Sequence, residues 1–418
     1  MTATRCSLKV CALAACLALL GANAAQAEIF NGGVANPGDY NDGGNWDTGN
    51  VPAGGAFAII GDAAGASPGT ANLNAAPVDS NIGDLRVGNG PGGTGTLNHT
   101  TGNLSPATFN WSFIGVDGTG AAPAVGTYNL SGDASITNSI ASFDNGAGNL
   151  FLGIGGGRRA PGELPNEGYL TVADDALVSF DHIYVGNNDD NYGQVDQTGG
   201  TVVAGDWISL GRETGATGVY NMSGGSLAVT NDGISVGEST GATGFFNLSG
   251  DATVNAGNLR VGRSLASNAA DGGGTGTMTV TGPNVSVTVG QLSVGANDGV
   301  VNDGQGTLEF TSDGGVSTIN VLGDITLNDG SVAGFANLLV DLETSPVAGD
   351  VVLIDVAGVT NGEFAGLPEG SAVPNSGGRT ITYSYGGGSS VALVAIPEPA
   401  ACVLLVLGAG IAAGRRRS

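Results

Sequence analysis

Gly218-Val219-Tyr220-Asn221-Met222-Ser223-Gly224 and Gly244-Phe245-Phe246-Asn247-Leu248-Ser249-Gly250 are two copies of one pattern, and they start 26 residues apart. Further copies, some of them looser, start at Gly95, Gly126, Gly193, Gly276 and Gly306. In each copy, apolar and polar residues alternate behind a glycine, which is typical of a short strand with one buried face. We therefore expect Tyr220 and Phe246 to point into a core and to stack on their copies in neighbouring turns.

A second pattern, an aliphatic residue followed by glycine, precedes each copy. The pairs are Val87-Gly88, Ile114-Gly115, Leu152-Gly153, Val185-Gly186, Leu210-Gly211, Val236-Gly237, Val261-Gly262 and Val294-Gly295. The spacing between successive glycines runs from 25 to 38 residues, and the shortest spacings are the most regular. A third short strand follows the Gly218 and Gly244 copies. Three strands in about 25 residues make one turn of a three-sided parallel β-helix, so the sequence predicts an all-β, right-handed parallel β-helix.

The composition restricts the possible functions. The chain of 418 residues contains 77 glycines without a Gly-X-Y period, which excludes collagen. Residues 28–396, which we call the body, hold 36 acidic side chains and seven arginines, so the body carries a net charge of −29. It has no lysine and no cysteine. Nucleic acid is therefore not an expected partner, since phosphate binding needs clustered basic residues, and disulfides do not stabilise the body.

The first 27 residues have the features of a secretory signal peptide. Arg5 and Lys9 precede an apolar stretch at residues 10–20, and Ala25-Gln26-Ala27 forms a small-x-small cleavage site. Cys16 offers an alternative, because Leu13-Ala14-Ala15-Cys16 matches a lipoprotein box. The apolar stretch continues past Cys16, which favours cleavage after Ala27 and export of the chain.

The C-terminus combines three elements in order. Pro397-Glu398-Pro399 is followed by a weakly apolar run of 15 residues and then by Arg415, Arg416 and Arg417. The prolines end any regular structure before them, and the arginines predict a cytoplasmic stop after a short transmembrane helix. Together these elements resemble the PEP-CTERM sorting domain. The resemblance implies an exosortase-type membrane protease as a partner, a transient stay in the inner membrane, and a destination at the cell surface or in an exopolysaccharide matrix.

The repeats resemble those of autotransporter passenger domains, although no translocator barrel follows them. We divide the chain into a signal peptide (1–27), an N-terminal capping segment (28–80), β-solenoid repeats (81–330), a C-terminal β cap (331–396) and the sorting anchor (397–418).

No catalytic residue, metal site or cofactor is predicted. His99 lies within a motif copy and is interpreted as a turn residue, and His182 follows Phe180 at an expected strand start, with no Gly-x-Ser-x-Gly motif to supply a nucleophile. The oxygen-rich residues 187–191 lack a calcium-loop spacing and are interpreted as a solvated turn. The asparagines of the repeated motif match the glycosylation sequon. Their periodic placement favours a hydrogen-bonded ladder instead.

Three functional hypotheses follow. The first is an exported structural protein of the cell surface or the exopolysaccharide matrix, with no enzymatic activity. The second is an adhesin that binds glycans through exposed aromatic residues such as Trp111 and Trp207. The third is a β-helical polysaccharide lyase or hydrolase, which would need paired carboxylates or a basic residue in a cleft.

Overall fold

Our computed structural model describes most of the body and neither terminus. The described residues are 27–32, 37–63, 69–77, 79–106, 111–138, 148–154, 164–188, 190–239, 241–263, 273–295, 304–327 and 336–396. Ala25, the Pro397-Glu398-Pro399 motif and Arg415, Arg416 and Arg417 lie outside them, so the signal helix and the C-terminal transmembrane helix stay predictions. In the described part of the chain, no helix is both long enough and apolar enough to cross a membrane.

The repeated Gly-x-aromatic motif forms one sheet, which we call face 1. Its eleven strands are β2 (Gly38–Asp39), β4 (Gly69–Leu73), β7 (Thr94–His99), β10 (Val125–Leu130), β13 (Glu167–Val172), β15 (Tyr192–Gln197), β17 (Thr217–Met222), β20 (Thr243–Leu248), β22 (Thr275–Thr281), β24 (Gln305–Thr311) and β27 (Ala336–Asp341). Neighbouring strands of face 1 pair in parallel. Ten steps of about 4.8 Å make this stack about 50 Å long.

All of the remaining strands except the last two form two further faces. Those of face 2 are β5 (Asn81–Ile82), β8 (Asn103–Pro106), β11 (Ser135–Thr137), β18 (Ser226–Val229), β25 (Ile319–Val321) and β28 (Val351–Val356), with the first halves of β14 (Leu177–Asn187), β16 (Thr201–Arg212), β21 (Thr253–Arg263) and β23 (Ser286–Val294). Those of face 3 are β1 (Ala27–Phe30), β3 (Phe57–Asp62), β6 (Leu85–Asn89), β9 (Ser112–Val116), β12 (Asn149–Ile154), β19 (Gly233–Glu238), β26 (Ile325–Leu327) and β29 (Thr360–Asn361), with the second halves of the same four long strands.

The register confirms the all-β parallel solenoid. The aliphatic residues of all eight aliphatic-Gly pairs lie opposite one another on face 3, as Val185 does opposite Leu210. On face 1, Gly126 pairs with Gly95, and Gly218 pairs with Gly244. The stack also extends beyond the eight predicted pairs, because Ile60 of β3 pairs with Val87.

The core fills the space between the three faces. Tyr128, Tyr220 and Phe246 are all buried, as their alternation with polar residues predicts, and Tyr220 meets Phe246 edge to face at 5.7 Å. One hydrophobic cluster runs from Phe30 to Leu393. Since a single turn cannot bury its own apolar side chains, the stability of such a stack comes from contacts between neighbouring turns.

Non-repetitive structure covers both ends of the stack. At the N-terminal end, Trp46 packs edge to face against Phe30 and Tyr40 at 5.1 Å and donates a hydrogen bond to the Tyr40 carbonyl, just after a 3-10 turn at Gly43–Asn45. At the C-terminal end, β30 (Arg379–Tyr385) and β31 (Ser390–Ala395) form an antiparallel hairpin, and β31 pairs antiparallel with β28. Covered ends protect a parallel stack from edge-to-edge aggregation.

Candidate binding face

The outward side of face 3 is unusual because it carries aromatic residues in register. In each strand, the residue before the aliphatic-Gly pair points away from the main core. In successive turns these residues are Arg86, Phe113, Phe151, Tyr184, Ser209, Ser235, Arg260 and Ser293. The alternation that points Ile114 and Leu152 into the core therefore points the rings of Phe113 and Phe151 away from it.

These rings form a second apolar cluster outside the main core. Phe113 stacks on Phe151 with 5.4 Å between ring centroids, and Phe151 stacks on Tyr184 at 4.8 Å. We call Phe113, Val116, Phe151 and Tyr184 the outer aromatic cluster. Each of its side chains is at most 7% exposed, so the cluster is buried although it faces away from the core. Aromatic pairs of this kind add about 0.5–1.5 kcal/mol each beyond the area they bury.

Arginines close the outer aromatic cluster at both ends. The Arg86 guanidinium lies over the rings of Phe57 and Phe113, at 5.6 and 5.2 Å. The Arg212 guanidinium lies over Tyr184 and Trp207, at 5.1 and 5.6 Å. Cation–π contacts of this kind hold the guanidinium planes against the rings.

Two other arginines of face 3, Arg260 and Arg263, form ion pairs. Arg260 donates to Asp232 at 2.8 Å, and Arg263 donates to Glu238 at 3.3 Å. Burial alone would raise the pKa of Asp232, but the hydrogen bond and charge of Arg260 outweigh it and hold that pKa below its usual value. With Arg86 and Arg212, these residues place four of the seven arginines of the body on this one face.

An open groove of about 390 Å³ lies beside the outer aromatic cluster. It is lined by Asp84, Arg86, Trp111, Phe113, Val116, Asp117, Ile154 and Asn188. Trp111 is 43% exposed, and its ring meets Phe113 and Phe151 edge to face at 5.8 and 5.6 Å. The groove thus combines one exposed aromatic ring with charged and amide side chains, which is the usual make-up of a small-ligand site.

The two tryptophans named from the sequence lie in one column of face 3. Trp207 pairs with His182, and His182 pairs with Asn149, which follows Trp111 by one turn. Trp207 is partly buried, because it packs against the His182 ring at 4.3 Å and under Arg212. Of the two tryptophans, Trp111 is therefore the more exposed.

His182 lies inside β14, at the corner between faces 2 and 3, and the expectation of a strand start was wrong. Its Nε2 lies 3.1 Å from Asp206 Oδ2, and its Nδ1 lies 2.8 Å from Asn149 Oδ1 and 3.5 Å from Asp181 Oδ2. Asp181 is 3% exposed, and burial raises the pKa of its carboxyl. The contacts of His182 with Asn149 and Asp206 therefore join three consecutive turns of the solenoid.

His99 is a core residue, and its interpretation as a turn residue was wrong. It ends β7 opposite Leu130, is fully buried, and lies 2.9 Å from the Tyr128 hydroxyl. Burial lowers its pKa from 6.5 to about 4. An imidazole therefore occupies a position that the two neighbouring turns fill with leucines, Leu73 and Leu130.

The asparagine ladder is confirmed on face 1. Asn129 donates to Asn98 at 2.9 Å, Asn221 donates to Asp196 at 2.7 Å, and Asn247 donates to Asn221 at 2.8 Å. These hydrogen bonds run between neighbouring turns, so the side-chain amides of the three sequon-like motifs stabilise the stacking of the turns.

The described residues of the oxygen-rich segment, 187–188 and 190–191, lie at a turn that is less solvated than expected. Asn191 is 1% exposed, and its side chain donates to the carbonyls of Asn187 and Asn188 and accepts from the Asn166 amide. Among the residues that the structure describes, no group of three or more His, Cys, Asp or Glu side chains is arranged to hold a metal ion.

Comparisons with protein-family models, with curated proteins and with solved structures find no match to this chain.

Proposed function

We propose that the protein is an exported structural solenoid of the cell surface or the exopolysaccharide matrix, without enzymatic activity, sorted through its C-terminal segment. The observation that supports this proposal best is the uninterrupted parallel stack with covered ends. Such a stack is a stiff spacer whose length grows with the number of turns.

The handedness belongs to the same proposal. Parallel strands joined by crossover connections are right-handed in nearly all known cases, so we propose a right-handed coil. The acidic body supports an extracellular role, because a high negative charge keeps a long β surface soluble and discourages pairing between molecules.

The sorting step rests on the sequence of the tail. We propose that an exosortase-type protease acts at the Pro397-Glu398-Pro399 motif while the apolar run pauses in the inner membrane. Arg415, Arg416 and Arg417 would supply the stop, since moving three guanidinium groups through the bilayer is costly. The signal peptide would be removed after Ala27, leaving Glu28, whose carboxylate accepts a hydrogen bond from Thr48, near the new N-terminus.

The C-terminal mass of protein recovered from the surface of an exosortase-bearing host tests this proposal. We expect a chain shorter than one that ends at Ser418. Replacing Pro397, Glu398 and Pro399 by alanine should leave full-length protein in the inner membrane. Replacing Pro368 and Glu369, a Pro-Glu pair in the body, should not. Surface protein that still ends at Ser418 would show that the tail is an ordinary anchor.

The absence of enzymatic activity is tested separately. Incubating the full chain with plant and bacterial polysaccharides should release no products. Release of oligosaccharides that is abolished by a single Asp or His substitution would instead support the lyase or hydrolase hypothesis.

A further inference from the structure

We infer that the exosortase-type protease cuts the peptide bond between Pro399 and Ala400, where the apolar run begins. This inference rests on the processing proposed above and adds the position of the cut. Two features of the chain favour this bond: the point at which the C-terminal β cap stops holding the backbone, and the chemistry of the peptide bonds that follow.

The β cap ends in a strand that is held from both sides. β31 lies between β28 and β30 and pairs antiparallel with both of them. Its residues Val391, Ala392 and Leu393 are fully buried. A strand that is paired along both edges and buried through its middle cannot leave the sheet without exposing apolar side chains and breaking hydrogen bonds.

The sheet holds β31 as far as its last residue. Ala395 pairs with Arg379 at the start of β30, and its amide donates a hydrogen bond to Asp350 Oδ1 at 3.0 Å. The next residue, Ile396, is 56% exposed. Pro397 has no N–H with which to continue the pairing. Among the described residues, Ala395 is therefore the last one that the sheet holds.

Two of the bonds that follow are poor candidates for cleavage. The bond after Ile396 and the bond after Glu398 both end on a proline nitrogen, which carries no N–H and is closed into a ring. A protease that holds its substrate as an extended strand uses backbone hydrogen bonds on both sides of the cut. A proline directly after the cut withholds one of them, and its ring crowds the departing nitrogen. The remaining candidates are the bond after Pro397 and the bond after Pro399.

The fold distinguishes these two candidates. A protease that holds about four residues before the cut would need residues 394–397 to cleave after Pro397. Val394 and Ala395 belong to β31, where Val394 pairs with Thr380. Cleavage after Pro399 needs residues 396–399, all of which follow β31. The bond after Pro399 can therefore be cut while the β cap stays folded, whereas the other cut requires the end of the sheet to open.

A cut at this bond separates the whole body from the whole apolar run. Hydrolysis adds the hydroxyl of water to the carbonyl carbon of Pro399 and a proton to the nitrogen of Ala400. The products are a body that ends in a carboxylate at Pro399 and a released segment of residues 400–418. The exported chain then keeps no residue of the apolar run.

The mass of the body recovered from the surface of an exosortase-bearing host identifies the cut. We expect the C-terminal peptide to end at Pro399. A processed chain that ends at any other residue would overturn this inference and leave the proposed sorting intact. A chain that still ends at Ser418 would overturn both.

Two proline substitutions in the full chain test the bond itself. Ala400→Pro turns the bond after Pro399 into a prolyl bond, so it should slow processing by about tenfold or more, as a lost hydrogen bond does. Ala401→Pro is the matched control, because it places the same residue in the apolar run and leaves the bond after Pro399 unchanged. We expect it to be processed at the wild-type rate. Normal processing of the Ala400 variant, or equal slowing of both variants, would refute the inference.

A change in the length of the connection tests the part played by the fold. Deleting Ile396 draws the motif towards β31, so the residues before the cut then include Ala395, and processing should slow several-fold. Inserting a Gly-Ser dipeptide after Ile396 is the control and should leave the rate unchanged, because the cut already lies clear of β31. An unchanged rate in the deletion variant, or faster processing of the insertion variant, would contradict the inference.

Discussion

Replacing Gly186 by alanine should disrupt the solenoid more than replacing a glycine in an exposed turn. Gly186 follows Val185 in an aliphatic-Gly pair of face 3 and has a φ of 68°. A Cβ atom at this position would lie 2.0 Å from the carbonyl oxygen of Thr217, at the start of β17 on face 1. Gly387, in the turn between β30 and β31, has a φ of 78° and nothing within 4 Å of its Cβ position.

The structure allows the two costs to be separated. The left-handed conformation alone costs an alanine about 1–2 kcal/mol, and Gly387→Ala suffers only this. At Gly186 the Thr217 carbonyl must also retreat by at least 1 Å to reach the 3.0 Å limit of real contacts. That movement breaks the bonds that join β17 to its neighbours, such as the 2.9 Å bond from the Thr217 amide to Asn191. Two lost bonds at about 1 kcal/mol each bring the total to about 3–4 kcal/mol.

Urea unfolding of both variants and the wild type, followed by circular dichroism and tryptophan fluorescence, measures the difference. We expect Gly186→Ala to lose about 2 kcal/mol more than Gly387→Ala in the free energy of unfolding. Loss of cooperativity in the Gly186 variant alone would agree with the same cause, because stability in a solenoid depends on contacts between neighbouring turns. Equal losses of unfolding free energy in the two variants would refute the argument that the close approach of β17 requires glycine at position 186.

Two further predictions concern single residues of the stack. Because burial lowers the His99 pKa from 6.5 to about 4, the unfolded chain takes up this proton first, and about 3 kcal/mol of stability should disappear as the pH falls from 6.5 to 4. His99→Leu should remove that part of the acid sensitivity, and urea unfolding at pH 7 and pH 4 would detect it; an unchanged pH dependence would contradict the prediction. Asn221→Ala breaks the ladder bonds to Asp196 and Asn247, so thermal unfolding should show a loss of about 1–2 kcal/mol, and no loss would mean that the ladder is incidental.

Much of the fold could be predicted from the spacing of a few residue types. The eight aliphatic-Gly pairs fall in register, and the motif glycines pair across face 1. Two motif copies were missed, at residues 69–73, where Gly69 pairs with Gly95, and at residues 167–172, where Gly168 pairs with Gly193. Between Leu152-Gly153 and Gly168 the chain has an insertion, whereas only six residues lie between Gly186 and Gly193. Insertions of this kind hide a period without interrupting the stack.

The outer aromatic cluster had a signal that could have been found. Phe113, Phe151 and Tyr184 each stand directly before an aliphatic-Gly pair. In a strand, neighbours along the chain point to opposite faces, so an aromatic residue beside a core-facing aliphatic residue must point outwards. The in-register stacking of the three turns then places the rings against one another, which buries side chains that the strand pattern alone would leave exposed.

The sequence by itself determined the parallel solenoid, because strand alternation and the positions of the glycines are local properties that each turn repeats. It also indicated the acidic, cysteine-free character of the body and the signals at the two ends. Only the tertiary structure decided the groove, since Asp84, Trp111, Asp117 and Asn188 are up to 104 residues apart and come from three turns, with Trp111 and Asp117 on either side of β9. Insertions of unequal length separate these residues in the chain. The groove becomes visible only when the turns are stacked, because stacking converts distant positions in the chain into neighbours about 4.8 Å apart.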